Sequence, residues 1–205
     1  MRFQWDLPLD PAGVVVRLPM GDEVRVRPGR PTDRDELLAA FERFSDRSRH
    51  LRFFGPMPVL REPVLERLLD VTPDRQLAWG VFDPTRDSET SGDSGLAIAS
   101  ARLFIDEDGR GAEASLAVVD DYQRRGLGRF LVELLRSTAA IQQLESIRFD
   151  VLAENRGMRK LLESFGADAE TDPEDRTVIV FTLPVSADDV DPTAGALYHL
   201  LRAVA

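Results

Sequence analysis

The chain has 205 residues, 43% of them hydrophobic and 30% charged, which is enough for one sizeable core and one domain. Its formal net charge of −10 argues against nucleic acid as a partner, since that binding rests on clustered basic residues, and it suits a cationic partner instead. There is no cysteine, and the two histidines, His50 and His199, lie far apart, so no metal site is expected; no signal-peptide pattern follows Met1 and no apolar run approaches the roughly eighteen residues of a membrane span, so a cytoplasmic, membrane-free protein is expected.

Residues 1–22 read as an irregular start and a strand, Val14 to Leu18, able to pair with Val24 to Arg27 across Pro19-Met20-Gly21-Asp22. A helix is expected from about Asp33 to Phe44, with Thr32 as N-cap, Asp35 in the capping-box position and Leu37, Leu38, Phe41 and Phe44 as its buried stripe. Ser45 to Phe54 reads as a connection to a second helical stretch, Glu62 to Leu69, which starts at Pro63. Strands at Gln76 to Phe82 and Leu96 to Ile105 flank Asp83 to Ser94, whose Asp, Ser, Thr, Gly and Pro content reads as a mobile surface loop. The turn Asp106 to Gly111 is a hairpin rather than a calcium loop, because Ala117 stands where such a loop needs its bidentate glutamate.

An apolar strand ending at Leu116 to Val119 then stops at Asp120-Asp121, and beyond two glycines Leu127, Phe130, Leu131, Leu134 and Leu135 recur at helical spacing. Ile147 to Leu152 is a further strand, leading into a helix from Asn155 to Ser164 with Met158, Leu161, Leu162 and Phe165 on one stripe and Gly166 as terminator. After a polar turn, Glu170 to Arg176, comes a last strand, Thr177 to Leu183, and a tail in which Leu197, Leu200, Leu201 and Val204 can line one face of a short helix. The expected organisation is an N-terminal extension, 1–22, one α/β domain, 23–183, and a tail, 184–205.

The link between the Leu116 to Val119 strand and the helix after it carries the most chemical information. The first N–H groups of a helix lack intrahelical partners, and glycines let a ligand approach them, so Gly126 and Gly128 mark a cradle for pyrophosphate. A Rossmann turn would need a third glycine where Leu131 stands, and a Walker A loop would need Gly-Lys-Ser/Thr. Arg124, Arg125 and Arg129 add a local basic cluster suited to an anionic cofactor such as coenzyme A.

What stands here, Gln123-x-x-Gly126-x-Gly128, resembles the acyl-CoA-binding signature of the GNAT superfamily of N-acyltransferases. Asn155 after an apolar strand resembles that family's second segment, beside the pantetheine arm. Ser45-Asp-Arg-Ser48-Arg-His-Leu-Arg52-Phe53-Phe54, together with Ala112-Glu113 ten residues before Gln123, resembles its bacterial protein lysine acetyltransferase branch. The resemblance implies one GNAT-type domain with a mixed central sheet flanked by helices. It also implies acetyl-CoA as cosubstrate, held by Ala117, Val118 and Val119 on the strand, by Gln123, Arg124, Arg125, Gly126, Leu127, Gly128 and Arg129 on the loop, and by Asn155. The acceptor it implies is a primary amine, foremost an exposed lysine of a protein substrate. A small cationic amine (polyamine, antibiotic or amino acid) is the alternative acceptor, and a non-catalytic acyl-CoA sensor the alternative role. Oligomeric state stays open, a homodimer included.

An alkyl amine arrives protonated at neutral pH and must lose a proton before it attacks a thioester. A carboxylate reaching it directly or through one water is the natural base. Glu113 is the candidate: by strand alternation it shares a face with Ser115 and Ala117, while Ala114, Leu116 and Val118 point the other way. The resemblance further implies an oxyanion donor near the backbone N–H of Val118. Where many superfamily members carry a tyrosine able to protonate the departing thiolate, this chain has Leu162, so solvent is left as the proton source.

Overall fold

The computed structural model describes residues 13–72, 75–90 and 94–186. The chain before Gly13 and the expected tail helix, with His199, lie outside the described residues. In chain order the elements are β1 (Val14–Arg17), β2 (Glu23–Pro28), α1 (Arg34–Glu42), α2 (Asp46–Phe53), α3 (Glu62–Leu69), β3 (Gln76–Asp83), β4 (Leu96–Ile105), β5 (Gly111–Val118), a 3₁₀ turn (Asp120–Tyr122), α4 (Leu127–Ile141), β6 (Ser146–Leu152), α5 (Arg156–Glu163), β7 (Asp168–Thr171) and β8 (Val178–Pro184). The strands make one mixed sheet in the order β1-β2-β3-β4-β5-β6-β8-β7, in which β5 and β6 are the parallel pair and the other neighbours are antiparallel.

Hairpin chemistry sets the local pairings as expected. β1 and β2 join across Leu18 to Asp22, and Gly109 at φ 68 turns β4 into β5. On one face of the sheet α4 buries Leu127, Phe130, Leu131, Leu134 and Leu135, as its apolar spacing requires. The indole N–H of Trp79 on β3 donates to Thr138 Oγ1 at 3.1 Å, and Thr138 donates on to the carbonyl of Leu134, so these core polar groups are satisfied.

Three expectations are corrected. Ser45 to Phe54 is not a plain connection: its middle is helix α2, begun by Ser45, whose hydroxyl accepts from the Ser48 N–H. α1 begins at Arg34 with Asp33 rather than Thr32 as its N-cap, and Asp33 makes no side-chain capping bond because both of its oxygens are held at 2.8 Å by the buried Arg27 guanidinium. Asp168–Thr171, half of which was read as turn, is edge strand β7, exposed at all four positions. The described part of the 83–94 loop is anchored to α1: Ser88 and Thr90 donate to the buried carboxylate of Glu36, and Glu89 pairs with Arg43 at 3.4 Å.

Candidate active site

β5 and β6 pair through three positions, Gly111 with Ser146, Ala112 with Ile147 and Glu113 with Arg148, and then part. β5 runs on to Val118 held by β4 alone, and β6 runs on to Leu152 held by β8. The parting opens a cleft of about 560 Å³ between the two strands. Glu113, the last paired residue of β5, stands at its apex. Backbone direction along β5 is fixed by three bonds: the Val119 N–H donates to Ile98 on β4, the Gly111 carbonyl accepts from Asp106 on the β4 side, and the Arg110 carbonyl accepts from Glu145 on the β6 side. Odd-numbered residues therefore address β4, and the N–H groups of Leu116 and Val118 face the open cleft.

The far wall of the cleft is the start of α4. The chain reaches it through two left-handed residues, Arg124 at φ 62 and Gly126 at φ 87. Glycine adopts that conformation without steric penalty, whereas a strained non-glycine residue such as Arg124 is often part of a functional turn. The N–H groups of Leu127, Gly128 and Arg129 form the first turn of the helix and lack intrahelical acceptors. A Cβ on Gly128 would lie 3.2 Å from Leu161 Cδ2, so this residue is pressed close to α5 and bare toward the cleft. Together these groups form a site suited to a phosphate-bearing ligand.

The structure brings together most of the residues singled out in the sequence. Glu113, Ala117, Val118, Gln123, Arg124, Gly128 and Asn155 all line the cleft. Asn155 also caps α5, accepting from the Met158 N–H at 3.2 Å. Other candidates are turned to different work. Val119 is buried with its N–H committed to β4, and Leu127 is in the core. Arg125 lies over the Tyr122 ring, 4.9 Å from its centroid, and Arg129 donates to Ser164 and lies over Phe165. Leu162 is fully buried.

Helix α2 roofs the cleft and is tied to the cofactor loop. Asp120 accepts from the Ser45 N–H (2.9 Å), the Ser45 hydroxyl (2.6 Å) and the Ser48 hydroxyl (2.9 Å). Gln123 completes the tie by donating to Ser48 Oγ at 3.1 Å and to the Val118 carbonyl at 3.0 Å. Burial works against ionisation of Asp120, but the hydrogen bonds from Ser45 and Ser48 outweigh it and hold the carboxyl below its usual range. At the other side of the roof, His50 Nε2 lies 3.1 Å from Glu154 Oε1 on the link from β6 to α5. Sequence reasoning missed the Asp120 tie; the signal available was the Ser-x-x-Ser spacing, which puts two hydroxyls on one side of a helix start.

Residues 59–167, just over half of the chain, match the model of the acetyltransferase (GNAT) family. The chain belongs to the GNAT acetyltransferase family. It is thereby an acyl-CoA N-acetyltransferase, with acetyl-CoA as the family's cosubstrate. An acetyltransferase of Pseudomonas aeruginosa is 29% identical over 163 residues, 80% of this chain and 84% of that protein. Acetyltransferase Pat of Mycolicibacterium smegmatis is 29% identical over 201 residues, and the match spans 93% of this chain but only 57% of Pat. The crystal structure of the GNAT domain of S. lividans PAT superposes with a TM-score of 0.73 at 24% identity, covering 85% of this chain and 97% of that one. These likenesses place the chain beside the bacterial protein acetyltransferases. Among the described residues no cluster of side chains could hold a metal ion, and no helix is long and apolar enough to cross a membrane.

Proposed function

We propose that this enzyme moves the acetyl group of acetyl-CoA to a primary amine, with a protein lysine as acceptor and Glu113 as general base. The observation that carries the reading is the position of Glu113 where β5 leaves β6, between the bare strand edge on one side and α2 on the other. Glu113 takes the ammonium proton, directly or through one water, and the freed amine attacks the thioester carbonyl. The N–H groups of Leu116 and Val118 face the cleft and are suited to the oxyanion that forms, because a fixed backbone donor stabilises charge without reorganising. The thiolate takes its proton from solvent, since Leu162 offers none. The first turn of α4, with Arg124, holds the pyrophosphate.

The lysine acceptor is supported by the 93% of this chain that aligns with Pat, by helix α2 over the cleft, and by the net charge of −10, which draws a basic protein surface from a distance. Labelled acetyl-CoA offered to a panel of proteins and small amines tests it. Saturable transfer to a protein lysine is expected, slowing as salt screens the attraction. Rapid transfer to a polyamine, antibiotic or amino acid, with protein lysines at the non-enzymatic background, overturns it.

A further inference from the structure

Behind the cleft, on the α1–α3 side of the sheet, lies a second cavity of about 80 Å³, and the two spaces share Phe44, Arg52 and Ala117. That is room for a carboxylate and one or two methylenes, taking about 30 Å³ as the share of one water. The walls are largely apolar, with Leu37, Phe53 and Leu68 among them, yet two guanidinium groups also line the cavity. Arg102 stands in the middle of β4 at 5% exposure. Arg52 comes down from α2, half-buried, and donates to Ser115 on β5 at 2.9 Å.

Neither arginine has a carboxylate within ion-pair distance among the described residues. Arg102 donates to the Leu68 carbonyl at the end of α3, at 2.7 Å, which uses one of its five N–H donors. The carboxylates that line the cavity are already engaged: Asp33 is gripped at both oxygens by Arg27, and Glu36 accepts from Ser88 and Thr90. Burial lowers both guanidinium groups to about 10, still charged at neutral pH; Glu113 opposes the shift on Arg52, and on Arg102 the repulsion of Arg52 adds to it while Asp33 opposes it. A charge withdrawn from water with no carboxylate in contact is costly, and an anion supplied from outside would reduce that cost.

Resting on the acetyltransferase reading above, we infer that Arg52 and Arg102 form a carboxylate-binding subsite, so that the preferred acceptor is an amine with a carboxylate close by. Arg52 belongs to both the cleft and the cavity, so the carboxylate enters beside the amine that faces Glu113. The net charge and the near field thus act at different ranges: the acidic body attracts a basic surface from afar, and the arginines read one acid next to the target amine. An acidic side chain flanking a lysine and the carboxyl group of a free amino acid both supply that chemistry.

Two measurements test the subsite. The first is independent of turnover: propionate, titrated with propionamide as control, is followed through the side-chain N–H resonances of Arg52 and Arg102. Propionate alone is expected to move both, and the response should vanish in R102Q; no response at millimolar propionate, or an equal one with propionamide, overturns the inference. The second compares kcat/KM for lysine peptides with a flanking Glu or Gln, and for free amino acids against their amides. The carboxylate form should be favoured roughly tenfold or more, as expected for a charge-assisted hydrogen bond, with the preferred pair identifying the source. R102Q should bring that ratio close to one, with acetyl-CoA affinity by calorimetry retained. R102K keeps the charge without the fork and should give an intermediate ratio, which also serves if R102Q folds poorly. A preference that R102Q and R102K leave intact overturns the subsite. Propionate binding without transfer to any amine would leave the subsite standing and defeat the acetyltransferase reading instead.

Discussion

The two faces of the sheet are built on different rules. Under α4 the sheet is closed by Leu, Phe and Trp with one satisfied hydroxyl–indole pair, and it could belong to any fold that needs to bury a helix. On the side of α1, α2 and α3 a cavity lies among Glu36, Arg52 and Arg102, with Arg27 buried nearby, and α2 contributes no buried residue. The first face stabilises the chain, and the second positions groups at the cleft. Substitutions on the two sides should therefore separate stability from turnover.

The largest separation is expected at Glu113. Glu113→Gln should lower kcat by roughly 10² to 10⁴ at neutral pH, the usual range for general-base catalysis, with a smaller loss at high pH where the amine is already neutral. Folding and acetyl-CoA affinity should be kept, and a variant with near-normal turnover across that pH range would reduce Glu113 to a structural residue. Leu134→Ala sharpens the contrast from the other side. It empties a fully buried site and should cost about 2–5 kcal/mol of stability by chemical denaturation, with kcat per folded molecule little changed. A matching loss of kcat would show that the two faces are coupled.

Gly128→Glu is expected to act on binding. It sets a carboxylate at the helix end that favours anions, a mismatch of about 0.3 to 2 kcal/mol before steric contact with Leu161, so calorimetric affinity for acetyl-CoA should fall by up to tens of fold. Unchanged affinity in a folded variant would remove the loop from the cofactor site. The smallest effect is expected at Asp120. Its folded carboxyl is held below the unfolded range, so its contribution is present above about pH 4 and fades as pH falls through the lowered value. Asp120→Asn should cost at most about 1 kcal/mol, because the site is partly solvent-screened, and should flatten the acid limb of the stability curve. An acid limb identical to that of the parent would show that the tie contributes nothing.

The α4 face was legible in the sequence, and the α1–α3 face only in part. α4, β4 and β6 announce themselves by apolar period and length, and each lies within a residue or a few of its expected bounds. α2 does not, because Asp46 to Phe53 is mostly polar and charged; it is held by the Ser45 cap and by bonds to Asp120, seventy-five positions from Ser45, which no local pattern shows. β7 is exposed throughout and carries no alternation to read. Spacing and resemblance single out Glu113 and the glycine loop, whereas the parting of β5 from β6 that brings them to one cleft is a tertiary fact. Arg102 did leave a trace: a lone charge inside the apolar run Leu96–Ile105 asks for a partner, and that partner is not in the local sequence.

The direction of the β5 backbone also gives that one strand two populations of amide hydrogens. Those of Glu113, Ser115, Ala117 and Val119 are locked into the ladder with β4, whereas those of Leu116 and Val118 have only water to bond to until a ligand lies along them. In deuterated solvent the strand should thus label in an odd–even rhythm, slow beside fast, that neither flexibility nor burial alone would produce. Occupation of the cleft should even out that rhythm, so that the ligand acts on this side as a temporary ninth strand of the sheet.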